Sequence, residues 1–335
     1  NSSGKSNLLK AIARMASLII GSSKLNPNEM LNYEPFALNS TSKSLPTSFE
    51  IQFLVKDSKY RYGFEYNQYR IINEWLYQLR HHEEEDLLFL RAENEIEVSE
   101  THFKEGLGKE ALTPANRLFV SVIAQLNGPI SKSILRWFEN LNALDGADTG
   151  IYEGITLNMF HNKTDGYTEA LNFFKLLKLG FNDMVVEDKP LSQDILDSLT
   201  RAPESVRNSI LKRFEKGEIV ESMTKHNIYD AEGHIIGERL FSKDRMESEG
   251  TKKMIELSGP IFEALLHGTI LIVDEFDAKW HPMLTANVIK LFMNPDTNKH
   301  GAQLIFATHD TNLLSSNLFR SLKIVKGLKL TITLI

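Results

Sequence analysis

Cysteine is absent from all 335 residues of the chain, and this absence excludes a large group of chemistries. Disulfides, thiolate nucleophiles, iron–sulfur clusters and cysteine-ligated zinc all need a thiol. Long apolar runs are missing too, because no window approaches the roughly 20 apolar residues that a membrane helix needs. We therefore expect no membrane-spanning segment and no membrane partner.

A surplus of positive charge is the third feature that the sequence lacks. The chain has 38 Lys and Arg against 44 Asp and Glu, a formal net charge of −6. This balance argues against a surface coated in positive charge for nucleic acid, although a local basic face stays open. No charged n-region and apolar h-region mark a signal peptide, so we expect a cytoplasmic protein.

The pattern of apolar residues predicts an α/β protein. A helical period covers residues 4–20, and short aromatic and β-branched segments between 49 and 98 predict an antiparallel β meander. Residues 110–216 carry mostly helical patterns. A hairpin is predicted at 225–241, with its turn at 231–233.

Two near-continuous apolar runs near the end of the chain predict a buried parallel sheet. They are TILIV at 269–273 and AQLIFA at 302–307, each preceded by a helical pattern. From these patterns we predict domain boundaries at 1–104, 105–225 and 226–335, of which the middle range would be a helical, arm-like insertion into one split head.

The chain opens on the letters NSSGKSN, which match the second half of the phosphate-binding pattern G-x-x-x-x-G-K-[ST]. A glycine here lets backbone N–H groups face phosphate oxygens at a helix start. Lys5 would reach the β and γ oxygens, and the hydroxyl of Ser6 would ligate Mg²⁺. The alternative is a chance Gly-Lys-Ser at a helix start. The predicted nucleotide-contacting residues are Asn1, Ser2, Ser3, Gly4, Lys5, Ser6 and Asn7.

Because the leading glycine of that pattern would come before Asn1, we expect further residues upstream, including one or more strands. The helical pattern that follows Ser6 supports the phosphate-binding interpretation, since such loops open directly into a helix.

Two carboxylates follow the first of the buried apolar runs. Asp274 and Glu275 come directly after ILIV, and ligands in open α/β sheets bind beyond the carboxyl ends of strands. Asp274 would hold the water shell of Mg²⁺, and Glu275 would polarise the attacking water as a general base. The alternative is a strand that simply runs into a polar turn.

A histidine follows the second apolar run. His309 comes 309 − 275 = 34 residues after Glu275, with a predicted helix between them, as adjacent parallel strands require. A neutral imidazole there could hydrogen-bond the γ-phosphate or the attacking water. A lone histidine in such a place is more often structural, but the combination favours the functional interpretation.

Together these motifs resemble the ABC-type ATPases, in the branch with split heads that includes the Rad50/SMC, RecF and overcoming-lysogenization-defect (OLD) families. Ser248, Glu249 and Gly250 match the signature loop of that family, residues 276–282 match its D-loop, and His309 matches its switch histidine. The resemblance implies that the signature loop contacts the nucleotide of a partner subunit. ATP would then join a homodimer, with higher oligomers left open.

Within this branch the chain is particularly similar to the RloA- and AbiLi-like AAA ATP-binding proteins of bacterial phage-defence loci. The stretches that carry this likeness are NSSGKSNLLKAI, FEIQF with YRYGFEY and EWLYQL, SEGTKK, and ILIVDEFDAKWHPML with FATHD. The implied function is an ATP- and Mg²⁺-dependent ATPase that controls a separate effector, such as a TOPRIM-like nuclease or a toxin. Two alternatives stay open: a DNA-repair ATPase of RecF or Rad50 type, and a scaffold that binds ATP and hardly hydrolyses it.

Other constellations carry weaker predictions. The run at 81–86 (HHEEED) is a candidate metal site but is more typical of a solvated charge run, and Arg207, Lys212, Arg213 and Lys216 are more typical of a surface helix than of a DNA contact. Trp280 is predicted as an anchor for the dimer partner. The glutamine of the Q-loop cannot be placed, and Gln52 is a weak candidate because it lies in a predicted strand.

Overall fold

The computed structural model of the protein describes residues 4–35, 45–79, 84–145, 150–190, 218–310 and 331–333. Two compact units divide the chain. Unit 1 comprises Asn1–Leu141 and Ser321–Ile335, and unit 2 comprises Asn142–Arg320.

Helices and strands alternate along the described residues. The α-helices are α1 (Lys5–Ser22), α2 (Phe119–Gln125), α3 (Pro129–Glu139), α4 (Gly150–Asn162), α5 (Tyr167–Leu176), α6 (Lys243–Met246), α7 (Glu249–His267) and α8 (Pro282–Met293). The strands are β1 (Thr47–Val55), β2 (Ser58–Tyr66), β3 (Ile71–Leu79), β4 (Glu85–Ala92), β5 (Glu95–Val98), β6 (Leu141–Asp145), β7 (Asp183–Pro190), β8 (Glu218–Tyr229), β9 (Ile235–Ser242), β10 (Ile270–Asp274), β11 (Gln303–Phe306) and β12 (Thr331–Thr333).

Unit 1 is built on a six-stranded sheet with the order β12-β1-β2-β3-β4-β5. Strands β1 to β5 pair antiparallel with their neighbours, and β12 pairs in parallel with the other side of β1. Aromatic and β-branched residues alternate along these strands, so one face of the sheet is apolar. The predicted antiparallel meander is therefore confirmed, and the tail of the chain adds one strand to it.

Helices α1, α2 and α3 contribute to the core under this sheet. Phe53 and Phe64 of the sheet and Ile19 of α1 are completely buried there. The ring of Trp137 in α3 lies with its centroid 4.4 Å from that of Phe53. The buried side of α1 runs from Leu9 to Ser22. The first residues of the helix, beginning at Lys5, are exposed or half-buried.

A buried carboxylate ties α2 to the sheet. Glu74 in β3 is 0% exposed, and it accepts hydrogen bonds from the N–H groups of Phe119 and Val120 at 2.6 and 3.1 Å. The hydroxyl of Tyr62 donates a third bond at 2.9 Å. Burial raises the pKa of Glu74, although the nearby Arg91 and these hydrogen bonds oppose the rise. N–H groups at the start of α2, which have no partner within the helix, are satisfied in this way.

Unit 2 contains two three-stranded sheets. The first has the order β11-β10-β6, in which β10 and β11 run parallel and Ile270 faces Gln303. The second has the order β7-β8-β9 and is antiparallel, with Asp230 and Gly233 in the turn between β8 and β9. The parallel pair and the hairpin at 225–241 were both predicted from the sequence, and both are confirmed.

The range 105–225, predicted as one helical lobe, is divided between the two units. Helices α2 and α3 contribute to the core of unit 1, whereas α4 and α5 contribute to that of unit 2. The unit boundary follows Leu141 rather than residue 104 or 225. Strands β6 and β7 also lie in this range, where mostly helical patterns led us to expect helices. The basic segment at 207–216 falls outside the described residues.

None of the helices in the described part of the chain combines the length and the apolar character that a bilayer-crossing segment requires.

Candidate functional site

The predicted phosphate loop leads into α1 through a glycine. Gly4 has φ 72° and ψ 6°, in the left-handed region that glycine adopts without strain, and the N–H of Leu8 donates to its carbonyl at 3.0 Å. Among the described residues, no atom lies within 4 Å of the position that a Cβ on Gly4 would take. Lys5 and Asn7 are exposed and Ser6 is half-buried, whereas Asn1, Ser2 and Ser3 lie outside the described residues.

Asp274 and Glu275 lie where β10 ends, as predicted. The four preceding residues, Ile270–Val273, are buried, and both carboxylates are half-buried at the carboxyl end of the strand. The backbone of Glu275 has φ 48°, in the left-handed region that residues with a side chain rarely adopt, and its N–H donates to the Asp274 carboxylate at 3.0 Å. Lys56 after β1 and Glu93 after β4 have a similar φ, so this conformation needs support from its surroundings but does not by itself mark a site.

A buried lysine holds the loop that follows. The Nζ of Lys253 in α7 donates to the carbonyl oxygens of Glu275, Phe276 and Ala278 at 3.2, 3.3 and 2.7 Å. Phe276 itself is fully buried in the core of unit 2. The hydrogen bonds from Lys253 and the burial of Phe276 therefore hold the backbone at Glu275 in this conformation.

The loop after β11 lies beside the loop after β10. The N–H of Phe276 donates to the carbonyl of Ala307 at 3.0 Å, and the N–H of Ala307 donates to that of Val273 at 3.0 Å. The carboxylate of Asp277 accepts the N–H of His309 at 3.1 and 3.2 Å. The backbone of His309 therefore lies next to the residues that follow Glu275, as expected for the ends of adjacent parallel strands. His309 itself is exposed.

The predicted signature residues lie at the start of α7. Ser248 is the N-cap of this helix, and its Oγ accepts the N–H of Thr251 at 3.1 Å. Glu249 pairs with Lys252 at 2.9 Å and with Lys279 at 3.5 Å, and the hydrogen bond from Lys252 is the main cause of its lowered pKa. Helix capping alone explains the bond between Ser248 and Thr251. The nucleotide contact of Ser248, Glu249 and Gly250 therefore stays a prediction.

The prediction for Trp280 is wrong. This residue is 7% exposed, and its ring packs edge-on against Phe276 with the centroids 5.1 Å apart. Because the ring is already buried within its own unit, little of it is left for a partner to cover. Trp280 is therefore a core residue rather than an anchor for a partner.

Two residues that matter in this arrangement were missed. Lys253 lies on the same helical stripe as the buried Leu257 and Ile261, a spacing that is visible in the sequence, although lysines are almost never fully buried unless paired. Asp277 was only part of the D-loop match, and its bond to the loop of His309 has no signal in the sequence.

The remaining candidates add no chemistry to this arrangement. In the described residues, no group of three or more His, Cys, Asp or Glu side chains forms a metal site, and residues 81–83 of the acidic run lie outside that part. Gln52 is half-buried in β1.

The residues fit a magnesium nucleotide in chemical terms. Hydroxyl and carboxylate oxygens, as in Ser6 and Asp274, are the ligands that Mg²⁺ prefers. The start of the 18-residue helix α1, where no described atom crowds Gly4, suits phosphate oxygens, because the first N–H groups and the dipole of a helix favour an anion.

Comparison with known proteins gives a family and a distant structural likeness. A family model described as "AAA domain, putative AbiEii toxin, Type IV TA system" matches residues 1–315. The solved structure of an SMC head bound to the C-winged helix domain of ScpA aligns with 94% of this chain and 82% of that chain, at 13% identity and a TM-score of 0.43. No curated protein matches the chain. We draw nothing further from a structural likeness at this level.

Proposed function

The chain belongs to the family described as "AAA domain, putative AbiEii toxin, Type IV TA system", and from that premise we propose that it is an ATP-hydrolysing switch. The observation that carries the proposal is the position of Asp274 and Glu275 at the carboxyl end of the buried parallel strand β10, beside the loop of His309. Ligands of open α/β sheets bind beyond this end, and the bond from Lys253 holds the backbone of Glu275, as a general base requires.

The proposed reaction is in-line attack of water on the γ-phosphate, in which a new P–O bond to water forms, the bond to the β–γ bridging oxygen breaks, and ADP leaves. Lys5 binds the β and γ oxygens and offsets the charge that develops on them, while Glu275 orients the water and accepts its proton. Ser6 and Asp274 are the proposed ligands of Mg²⁺ and its water shell, and the metal supplies further charge neutralisation. His309 contacts the γ-phosphate and responds to its loss.

Lys5 gives the first test of this proposal. Lys5→Ala should abolish ATP-dependent phosphate release, because the phosphate oxygens lose their cation. Lys10→Ala is the matched control, since Lys10 is an exposed lysine of the same helix. If the unchanged chain releases no more phosphate than Lys5→Ala does, the proposed hydrolysis is contradicted. The protein would then be a scaffold that binds ATP without hydrolysing it.

We further propose that two chains close around the nucleotide. Ser248, Glu249 and Gly250 of one chain would contact the γ-phosphate held by the other, because a hydroxyl and N–H groups at a helix start suit an anionic oxygen. Glu275→Gln should retain ATP and accumulate a dimer in Mg·ATP, measured by light scattering after gel filtration. A monomer at saturating ATP would contradict this assembly.

The switch is proposed to act in the cytoplasm, in anti-phage defence, on a separate effector such as a nuclease or a toxin. The words "toxin" and "Type IV TA system" in the family description support a toxin–antitoxin context for this switch. Co-purification with the product of a neighbouring gene, dependent on ATP and lost in Lys5→Ala, would support it. ATP-dependent and strongly salt-sensitive affinity for duplex DNA would instead favour a DNA-repair ATPase.

A further inference from the structure

Lys253 is a buried cation in the helix that carries the predicted signature residues. It lies in the second turn of α7 and is 3% exposed. A lysine side chain has three donors and no acceptor, and burial is unfavourable unless those donors are satisfied. The groups that accept hydrogen bonds from the Lys253 ammonium therefore indicate its role.

The ammonium group is aimed at one loop. It donates to the carbonyl oxygens of Glu275, Phe276 and Ala278, and it lies 5.2 Å from the centroid of the Trp280 ring. Bonds from a charged donor are stronger than those between neutral groups. A single side chain thus fixes three carbonyls in the segment where Glu275 adopts the left-handed conformation.

The start of the same helix lies against the same loop. The carboxylate of Glu249 is 3.5 Å from the Nζ of Lys279, and a Cβ on Gly250 would come within 3.2 Å of the Lys279 carbonyl. A side chain at position 250 would press on this carbonyl. The helix and the loop are therefore packed backbone to backbone where the predicted signature begins.

We propose that Lys253 is a positioning residue for Glu275, an inference that rests on the proposed ATPase function. By holding the carbonyls of 275, 276 and 278, the ammonium keeps the glutamate in its strained backbone conformation. Because Lys253 and the signature residues belong to one helix, a nucleotide contact at Ser248 is passed to the glutamate of the same chain. In this role Lys253 acts through the loop and not on the nucleotide.

Lys253→Met tests this role, because methionine fills the same volume and cannot donate. We expect kcat for ATP hydrolysis to fall about 100-fold, as small misplacements of a reacting group do. KM and ATP affinity should not change, since the phosphate loop is intact. Lys252→Met is the matched control, because the neighbouring lysine pairs with Glu249 instead. Lys253→Arg keeps a charged donor and should restore most of the turnover.

Hydrogen exchange gives a readout that does not depend on hydrolysis. The amides of Phe276, Ala278 and Trp280 are bonded to carbonyls of the two loops. They should exchange faster in Lys253→Met and not in Lys252→Met. Unchanged exchange in Lys253→Met would overturn the inference even if that variant were inactive.

The two proposals fail in different ways. If the unchanged chain hydrolyses ATP in a Lys5-dependent manner and Lys253→Met has the same kcat, only the positioning role is overturned. If the unchanged chain releases no more phosphate than Lys5→Ala, the proposed hydrolysis is overturned, and the positioning role with it. Loss of kcat in both Lys253→Met and Lys253→Arg, with normal exchange, would also contradict the role.

Discussion

Glu74 in unit 1 and Lys253 in unit 2 are buried charged side chains that bind backbone groups, but they are opposite in sign and in what they hold. In unit 1 the carboxylate of Glu74 accepts the N–H groups of Phe119 and Val120 at the start of α2. In unit 2 the ammonium of Lys253 donates to carbonyls of the loop that contains Glu275. The first completes a regular helix, and the second holds an irregular loop.

This difference separates the framework of the protein from its proposed chemistry. A helix end has a standard geometry and only needs partners for its N–H groups, so the loss of Glu74 should reduce stability. A loop with a strained residue needs support to keep its shape, so the loss of Lys253 should reduce turnover as well.

Glu74→Ala should have the largest effect. The change leaves the N–H groups of Phe119 and Val120 and the hydroxyl of Tyr62 without their partner, and each buried group left unsatisfied in this way typically costs about 1–3 kcal/mol. Urea unfolding measures the loss. Glu95→Ala, in the exposed part of β5, is the control and should leave stability unchanged. If Glu74→Ala lowered kcat per folded molecule as much as Lys253→Met does, the comparison would break down.

Lys243 sharpens the comparison, because it is a second buried lysine of unit 2 with different partners. Its Nζ contacts the carboxylates of Glu153, Glu256 and Asp244, the last two at 3.1 and 3.4 Å. Lys243→Met should lower stability by about 2 kcal/mol, the usual size for hydrogen bonds to charged groups. Turnover per folded molecule should stay normal, which distinguishes this lysine from Lys253.

The effect of Lys243 also depends on pH. Burial lowers the pKa of Lys243, but the neighbouring carboxylates outweigh it and raise the pKa above its ordinary value of 10.5. The stabilisation is therefore fully present below that value and is lost as the pH rises through the pKa of the folded state. The difference in unfolding free energy between the unchanged chain and Lys243→Met should narrow above pH 10.5. A difference that widened in alkali would contradict the assignment of these partners.

Ser248 should show the smallest effect on stability. Ser248→Ala removes the N-cap of α7 and should cost about 1 kcal/mol, whereas asparagine caps as well as serine does. If Ser248 also contacts phosphate, both variants should lower turnover about tenfold, the value of one hydrogen bond. If Ser248→Asn had normal turnover and Ser248→Ala lost only stability, Ser248 would be a helix cap without a phosphate contact.

Much of the fold could be predicted because its periodicities are strong. The meander, the hairpin and the parallel pair of β10 and β11 all follow from local patterns, and the P-loop ATPase fold class agrees with the family. Strand β6 could not be predicted, because LNALD is short and mixed, and its place beside β10 depends on the tertiary structure. The same holds for β7, because DMVVEDKP mixes apolar with charged residues and ends on a proline.

The candidate site divides along the same line. Motif spacing predicted which residues follow β10 and β11, and Asp274, Glu275 and His309 lie where expected. The strain at Glu275 and the burial of Trp280 depend on what packs around them, and no local pattern contains that information. Lys253 is the instructive case, since its charge suggested the surface while its spacing placed it on the buried stripe.

The most direct test of the central claim is phosphate release by Glu275→Gln, measured beside its affinity for ATP. Glutamine keeps the size of the side chain and cannot accept the proton of water. We predict that hydrolysis falls at least about 100-fold while ATP affinity is unchanged, as expected when a general base is removed. Hydrolysis at the rate of the unchanged chain would contradict the assignment of Glu275 and the mechanism built on it.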